Sequence, residues 1–310
     1  MLRFISSRIA SALVVVLGVS MLVFLLIHLI PGDPVEAMLG ETSRPADRAE
    51  LRHALGLDRS LPAQMADYYG RLIRIDLGTS LYSQRPVTDM LMERIPATAE
   101  LAAAGLVVAV LIAFPLGILA AARRDSGWDA GAMTFSMLGI SIPNFLLGPL
   151  MILLFALWLG WLPVSGKGGF ASLILPAFTL GTALAAVLAR MVRATLLEIL
   201  SENYIVTARA KGLSRLRTLF RHALPNALLP IITLLGLQLG ALLAGAVITE
   251  IVFSWPGLGQ LTVESIQRRD YPVVQACILA ISVSYVVVNT LTDVAYGWLD
   301  PRVRFRSAGV

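Results

Sequence analysis

The side chains that most often carry chemistry are few and scattered in this 310-residue chain. Its histidines are His28, His53 and His222, and its only cysteine is Cys277. A single cysteine excludes a disulfide framework and a multi-cysteine metal site, and three scattered histidines leave little material for a histidine-rich metal centre. The sequence also contains no G-x-x-x-x-G-K-[ST] segment, whose backbone amides would cradle a phosphate. We therefore predict no catalytic residue and no metal site in this chain.

The segment 201–225 is basic and has the pattern of a helix, a glycine bend and a second helix. Ser201 is placed to cap the first helix, Gly212 suits the left-handed residue just past its end, and Ser214 can cap the second. Pro225 is expected to end the second helix. Its predicted apolar stripe consists of Leu216, Leu219, Phe220 and Ala223. Such a helix could lie on anionic lipid headgroups or insert its stripe into a groove of a cytoplasmic partner.

The composition indicates that these residues are held in a membrane protein. Hydrophobic residues make up 57% of the chain and charged residues 15%, against roughly 25% charged in a typical globular protein. So few charges could not cover the surface of a soluble protein of this length, because charged side chains are the ones that soluble proteins keep outside.

Six stretches without Asp, Glu, Lys or Arg are long enough to cross a hydrocarbon core, which takes roughly 20 helical residues. Helices are expected because a lipid-exposed backbone must satisfy its own hydrogen bonds. The third stretch is overlong and must include a turn, predicted around 160–163, and Pro143 is expected to kink it. The six stretches are Ile9–Ile30, Leu101–Ala122, Ala130–Gly166, Gly168–Ala189, Ala223–Thr249 and Tyr271–Thr292.

Four polar side chains at membrane depth are candidates for a translocation pathway. Asn144, Gln238 and Asn289 could line a pathway or form hydrogen bonds between helices. Asp293 directly follows the sixth stretch, near the cytoplasmic end of the last predicted span, which makes it a functional candidate or a paired residue at the interface.

The distribution of basic residues predicts the orientation. If both termini are cytoplasmic, the inner segments carry 14 Lys and Arg residues against five acids, and the outer segments carry 11 against 14. The positive-inside rule therefore favours an even number of spans with both ends in the cytoplasm.

The segment 201–225 resembles the EAA loop of ABC importer membrane subunits. That family has E-A-A, three residues, G, nine residues and I-x-L-P, and here the corresponding residues are Val206-Thr207-Ala208, Gly212 and His222-Ala223-Leu224-Pro225. Ala208, Gly212, Leu224 and Pro225 match, whereas the other defined positions depart from the generic motif. The form TARAKGL is similar to the oligopeptide/dipeptide/nickel/glutathione branch. HLIPGDP, LGLDRSLPAQ, DLGTS, ISIPNF, PGLG and DYP extend the resemblance over nearly the whole chain.

The resemblance implies an all-α integral membrane protein with six transmembrane helices and the type I ABC importer permease fold, as the first-permease (B-type) subunit. An extracytoplasmic helical loop domain would follow the first helix. The implied division is 1–30 for the N-terminus and first helix, 31–97 for the loop domain, 98–299 for the ABC transmembrane domain and 300–310 for a cytoplasmic tail. The helices of the transmembrane domain are expected near 101–122, 133–158, 173–197, 226–249 and 273–296.

The resemblance also implies a role and partners. The chain would form half of a pathway in the bacterial inner membrane for short peptides, or alternatively for glutathione or a nickel chelate. A homologous second permease subunit, two cytoplasmic ABC ATPase subunits that bind ATP and Mg, and an extracytoplasmic solute-binding protein would complete the importer. The segment 201–225 would be the coupling loop that docks in an ATPase groove. The implied coupling residues are Thr207, Ala208, Arg209, Lys211, Gly212, Leu213, Arg215, Leu216, Phe220 and Pro225.

Three other classes of protein compete with this interpretation. A secondary transporter would show inverted repeats and buried ionisable pairs, and a membrane enzyme would need a cluster of histidines and carboxylates at one depth. A purely structural scaffold gives no reason for the helix, glycine bend and helix of the coupling loop.

Overall fold

The structure, a computed structural model, describes residues 2–29, 35, 39, 44–54 and 56–299. Within these ranges the regular structure is helical, apart from one isolated antiparallel bridge between Thr79 and Pro86. The all-α prediction is therefore confirmed. The predicted tail at 300–310 lies outside the described residues.

Twelve helices and two π-helical segments are described. The helices are α1 (Leu2–Leu29), α2 (Pro45–Ala54), α3 (Leu61–Ile73), α4 (Val87–Ala122), α5 (Gly127–Ser141), α6 (Asn144–Met151), α7 (Phe170–Leu200), α8 (Asn203–Ala210), α9 (Arg215–Thr218), α10 (Leu224–Val252), α11 (Leu258–Gln267) and α12 (Tyr271–Leu299). The π-helical segments are Ile152–Trp158 and Leu219–Ala223. The helix predicted near 101–122 begins earlier, at Val87.

Four helical segments of the described chain are long and apolar enough to cross a membrane, and a bent pair gives a fifth. The four are Val87–Ala122, Phe170–Leu200, Arg215–Gly240 and Tyr271–Thr292, and the pair is Gly127–Ser141 with Asn144–Trp158. The remaining predicted span, which is the first along the chain, falls on α1, where a shorter apolar stretch covers Ala10–Leu25. The chain is thus a multi-pass membrane protein.

The third predicted span is broken rather than continuous from 133 to 158. Its two halves meet at an angle of 102°. Pro143 has no backbone N–H and disfavours the helical conformation of the residue before it, and Ile142 is accordingly extended, with φ −91° and ψ 111°. The kink predicted at Pro143 is therefore a complete break. The chain also leaves the helix near Gly160, as predicted, where φ is +64°.

Residues Thr98–Trp255 and 287–299 belong to one compact unit. Its centre is α7, which packs against α5, α6 and α10 and buries one whole side. Glycine allows the closest crossing, because a Cβ added to Gly181 would lie 2.5 Å from the carbonyl oxygen of Gly105 on α4. Small residues therefore bring α4 and α7 into backbone contact.

Residues Ile5–Ala97 and Pro256–Val286 form a second compact unit with a core of its own. This core joins the starts of α4 and α12 to α11. Its buried members are Val87, Leu91, Leu258, Leu261, Val273, Ala276 and Cys277. The buried carboxylate of Asp270 accepts hydrogen bonds from the Ser80 hydroxyl at 2.5 Å and from the Leu81 N–H at 3.0 Å. Asp270 therefore attaches the loop before α4 to the start of α12.

Candidate coupling loop and polar membrane residues

The first helix of the coupling loop begins at Asn203, one residue later than a cap at Ser201 predicts. Helix α7 continues to Leu200, and the Ser201 hydroxyl donates to the Glu198 carbonyl at 2.6 Å. Glu202, which is extended, is the residue that precedes α8. The prediction that Ser201 caps α8 is therefore wrong, because the preceding helix uses Ser201 at its own end.

The bend at Gly212 has the predicted left-handed conformation. Its φ is +84°. The N–H of Gly212 donates to the Arg209 carbonyl at 2.9 Å, and the N–H of Leu213 donates to the Ala208 carbonyl at 3.3 Å. This pair of bonds is the Schellman motif, in which glycine is favoured because it has no Cβ. The Ser214 side chain then accepts from the Arg217 N–H and caps α9, as predicted.

We expect Gly212→Val to disorder the bend and Gly212→Asn to preserve it. A left-handed conformation costs roughly 1–2 kcal/mol for an ordinary L-residue, and asparagine tolerates it better. No atom lies within 4 Å of the position that a Cβ at residue 212 would occupy, so a steric clash at this Cβ does not add to the cost. Amide exchange at Leu213 measures the effect. Equal exchange rates in the two variants would contradict the assignment of strain to this bend.

The apolar residues of the coupling loop face two ways rather than forming one stripe. Leu219 and Ala223 are buried, whereas Leu216 is 68% exposed and Phe220 is 53% exposed. The backbone widens into a π turn at Leu219–Ala223, which rotates Leu219 and Ala223 away from the other two. The predicted stripe is wrong in this respect. The structure presents Leu216 and Phe220 outward, one turn apart.

The other predicted coupling residues divide between surface and interior. Ala208 is buried and Leu213 is half-buried within this chain. Pro225 is exposed in the first turn of α10 and does not end the helix, because proline is tolerated where the N–H is unpaired anyway. The exposed polar members are Thr207, Arg209, Lys211 and Arg215.

A hydrogen bond that the sequence did not predict attaches the first helix of the coupling loop to a long helix. The side-chain amide of Asn226, on α10, donates to the Tyr204 hydroxyl at 2.9 Å and to the His222 carbonyl at 2.8 Å. Ile205, the next residue of α8, is fully buried. The Asn226 side chain therefore connects α8 directly to the start of α10.

An ion pair with a buried carboxylate joins α5 to α7. The Arg193 guanidinium donates to both carboxylate oxygens of Asp129, at 2.5 Å and 2.7 Å. The Asp129 carboxylate also accepts from the Asp125 N–H at 3.0 Å, and only 7% of its side chain is exposed. Two parallel bonds from arginine to one carboxylate fix both partners strongly.

Three of the four polar candidates for the pathway lie on α10 or on segments that contact it. A Cβ added to Gly245 would lie 3.5 Å from the side-chain amide of Asn144, and Gln238 lies two turns from Gly245 on the same face of that helix. Asn289 lies on α12, one turn before Thr292. Thr292 packs against Gly236 of α10. Asp293 is on α12, and its side chain is outside the described part of the structure.

The search for charges within the spans missed a carboxylate. Glu250 lies inside α10, is fully buried, and accepts from the Thr98 hydroxyl at 2.6 Å. Each predicted span was defined as a stretch without charged residues. The fifth stretch therefore ended at Thr249, one residue before Glu250. Among the described residues, no three His, Cys, Asp or Glu side chains are placed to share a metal ion.

The described part of the chain is an all-helical, multi-pass membrane protein with an exposed loop that is both basic and apolar. Residues 113–305 match the family described as "Binding-protein-dependent transport system inner membrane component". Residues 1–102 match the family described as "Binding-prot-dependent transport system membrane comp, N-term". The chain therefore belongs to the binding-protein-dependent transport system inner membrane components.

Relatives and solved structures agree with this membership. A di/tripeptide transport system permease protein of Pseudomonas aeruginosa (strain UCBPP-PA14) is 45% identical, with 98% of this chain and 99% of that protein covered. A glutathione transport system permease protein of Escherichia coli (strain CFT073) is 42% identical, with 99% and 100% covered. The inward-facing MetNI methionine ABC transporter has the same fold, at a TM-score of 0.58 and 20% identity, with 69% of this chain and 97% of that chain covered.

Proposed function

We propose that this chain is a permease subunit of an ABC importer and forms half of a pathway for short peptides. The observation that carries the proposal is the outward pair Leu216 and Phe220 on a basic loop, in a chain of the binding-protein-dependent family. An amphipathic helix of this kind binds by placing its apolar side chains in a groove. The groove belongs to a cytoplasmic ABC ATPase subunit.

The coupling loop converts a movement of the ATPase into a movement of long helices. When ATP draws two ATPase subunits together, the loop moves with its groove. The hydrogen bond between Asn226 and Tyr204 passes this movement from α8 to α10, and the Asp129–Arg193 pair makes α5 and α7 move together. Because packed interfaces have discrete arrangements, the displacement switches the pathway beside α10 between outward-open and inward-open states.

The chain itself carries no catalytic role in this proposal. ATP and Mg bind to two ATPase subunits, a homologous but non-identical second permease completes the pathway, and an extracytoplasmic binding protein delivers the solute. Both termini and the coupling loop face the cytoplasm. Residues 31–97 form the extracytoplasmic loop domain and 98–299 the ABC transmembrane domain. Asn144, Gln238, Asn289 and Asp293 are the proposed polar contacts of the pathway.

The solute is proposed from the relatives. The di/tripeptide relative is 45% identical over nearly the full length, which favours short peptides. Glutathione, itself a tripeptide, is the alternative suggested by the 42% identical relative. A nickel chelate would use the same machinery.

The proposal is tested by uptake into proteoliposomes that contain the purified importer. Labelled dipeptide should accumulate only with both the binding protein and ATP inside, and an ionophore that collapses ion gradients should leave the rate unchanged. The two ATPase subunits should also co-purify with this chain without cross-linking. Uptake driven by an ion gradient without ATP would instead establish a secondary transporter, for which the buried Glu250 would be the first residue to examine.

A further inference from the structure

The turn between α4 and α5 lies at a membrane surface. Helix α4 ends at Ala122 and α5 begins at Gly127, so the connection between one span and the next consists of Arg123–Ser126. An extended residue covers at most about 3.6 Å, and four residues therefore cannot carry the chain far from the ends of the spans. The side chains of this turn consequently lie at the depth of the lipid headgroups.

Hydrogen bonds hold this turn in one conformation. The Ser126 side chain caps α5 by accepting from the Asp129 N–H, and its hydroxyl donates to the Arg123 carbonyl at 2.5 Å. Asp125 is left-handed, with φ +58°, and its N–H donates to the Asp129 carboxylate at 3.0 Å. The turn is therefore a preformed support for the side chains that it carries.

Arg123 and Trp128 form an exposed pair on this support. The central carbon of the Arg123 guanidinium lies 5.2 Å from the centre of the Trp128 ring, which is within the range of a cation–π contact. Arg123 is exposed and Trp128 is 60% exposed. Among the residues that the structure describes, Arg123 forms no ion pair and the Trp128 indole N–H donates no hydrogen bond. The pair therefore presents N–H donors whose acceptor lies outside the described chain.

The two carboxylates close to this pair are already matched by other arginines. Asp125 pairs with Arg124 at 3.1 Å, and Asp129 accepts both hydrogen bonds of the Arg193 guanidinium. The positive charge of Arg123 is therefore not compensated by the turn itself.

A stripe of exposed apolar side chains continues from Trp128 along the span. Phe135 and Leu138 follow Trp128 by seven and ten residues, which places all three on one side of α5. Phe135 is 53% exposed and Leu138 is 56% exposed. A lipid whose headgroup contacts Arg123 can therefore lay an acyl chain along this stripe. A soluble anion gives no reason for the stripe, because it has no apolar part.

The ion pair between Asp129 and Arg193 shows on which side of the membrane the turn lies. It attaches the start of α5 to a residue of α7 that is seven positions before the end of that helix at Leu200. At 1.5 Å per residue, this is about 10 Å along the helix. The turn is therefore on the side of the coupling loop, which the proposed function places in the cytoplasm.

We propose that Arg123 and Trp128 bind the phosphate of an anionic phospholipid in the cytoplasmic leaflet. The guanidinium and the indole N–H donate to the phosphate oxygens, because arginine pairs with phosphate through parallel hydrogen bonds. The exposed Trp128 ring lies between headgroup and acyl chains, as tryptophan does at membrane interfaces. Anionic headgroups are the phosphates concentrated at this depth. The inference rests on the proposed function only for the choice of leaflet.

Native mass spectrometry of the full importer in detergent tests the proposal. Phosphatidylglycerol, whose headgroup is anionic, is titrated against phosphatidylcholine, whose headgroup has no net charge. The wild type should bind phosphatidylglycerol about fivefold more tightly, and Arg123→Gln should lose this preference. Arg123→Lys keeps a positive charge and should retain most of it. Arg74→Gln removes another exposed arginine from the other compact unit and should behave as the wild type, which makes it the matched control.

The substitution Trp128→Leu separates the headgroup contact from the acyl-chain contact. It keeps the apolar stripe but removes the indole N–H and the ring below Arg123, so the preference should fall while the melting temperature of the importer stays the same.

Three results would overturn the lipid site. They are an equal preference in the wild type and Arg123→Gln, displacement of phosphatidylglycerol by millimolar inorganic phosphate, and a preference that appears only after the ATPase subunits are removed. The second would identify a free anion as the ligand, and the third would identify a protein as the partner. ATP-driven uptake is measured in parallel. Normal uptake without any lipid preference sinks this site alone, whereas absence of ATP-driven uptake by the wild type sinks the proposed function.

Discussion

Replacing Leu216 and Phe220 together with aspartate should abolish ATP-driven uptake while the protein still folds. Both side chains are more than half exposed, so the folded chain loses little when they change. In the groove of an ATPase they act as buried anchors, and truncation of such anchors costs about 2 kcal/mol or more each. Aspartate adds the cost of burying a charge. We expect co-purification of the ATPase to fall at least about a hundredfold, at 1.4 kcal/mol for each factor of ten.

Conservative changes at the same positions are the matched control. Leu216→Met and Phe220→Leu keep an apolar side chain of similar size and should retain most of the uptake. Thermal stability of the purified permease should be the same in the aspartate and the conservative variants. Normal uptake by the double aspartate variant would show that these two residues do not contact the ATPase subunit.

Removing one partner of the Asp129–Arg193 pair should destabilise the protein severely. Arg193→Met leaves the Asp129 carboxylate, with 7% exposure, without the guanidinium that donates to both of its oxygens. Breaking a fully buried pair costs roughly 3–5 kcal/mol, and we expect the lower end of this range because 26% of the Arg193 side chain is exposed. We expect a large drop in folded yield and in the melting temperature of the detergent-solubilised permease.

The double variant Asp129→Asn with Arg193→Met distinguishes charge from packing. No buried charge remains in it, and the asparagine oxygen can still accept from the Asp125 N–H. We therefore expect the double variant to be more stable than Arg193→Met alone. The contrary order, with the double variant the least stable, would mean that the pair contributes through its bonds rather than through mutual neutralisation.

The bend and cap of the coupling loop could be predicted because they depend on a few neighbouring residues. Gly212 adopts φ +84° and Ser214 caps α9, and both follow from the local preferences of glycine and serine. The break at Pro143 is of the same kind, since proline constrains itself and the residue before it. The sequence did not predict its size of 102°, which the neighbouring helices determine.

The outward direction of the apolar pair could not be predicted from periodicity. A regular α-helix places Leu216, Leu219, Phe220 and Ala223 on one side, and the π turn divides them. This turn forms where Leu219 and Ala223 pack into the unit, so its position depends on tertiary contacts rather than on spacing.

The polar pairs between residues distant in sequence are the part of the candidate site that could not be predicted from the sequence. Asp129 and Arg193 are 64 residues apart, and Thr98 and Glu250 are 152 apart. No spacing rule connects residues so distant. The sequence indicated only that a carboxylate lies beside a predicted span. Glu250 directly follows the fifth stretch without charged residues.

The central claim is that a separate ATPase drives this chain through the coupling loop from the cytoplasmic side. It is tested most directly with cysteine in place of Leu216, in a chain whose Cys277 is replaced by serine. In inside-out vesicles that contain the whole importer, residue 216 should cross-link to the ATPase subunit, and in right-side-out vesicles an impermeant thiol reagent should not reach it. Labelling from the outer face, with no cross-link to the ATPase in either orientation, would contradict the account.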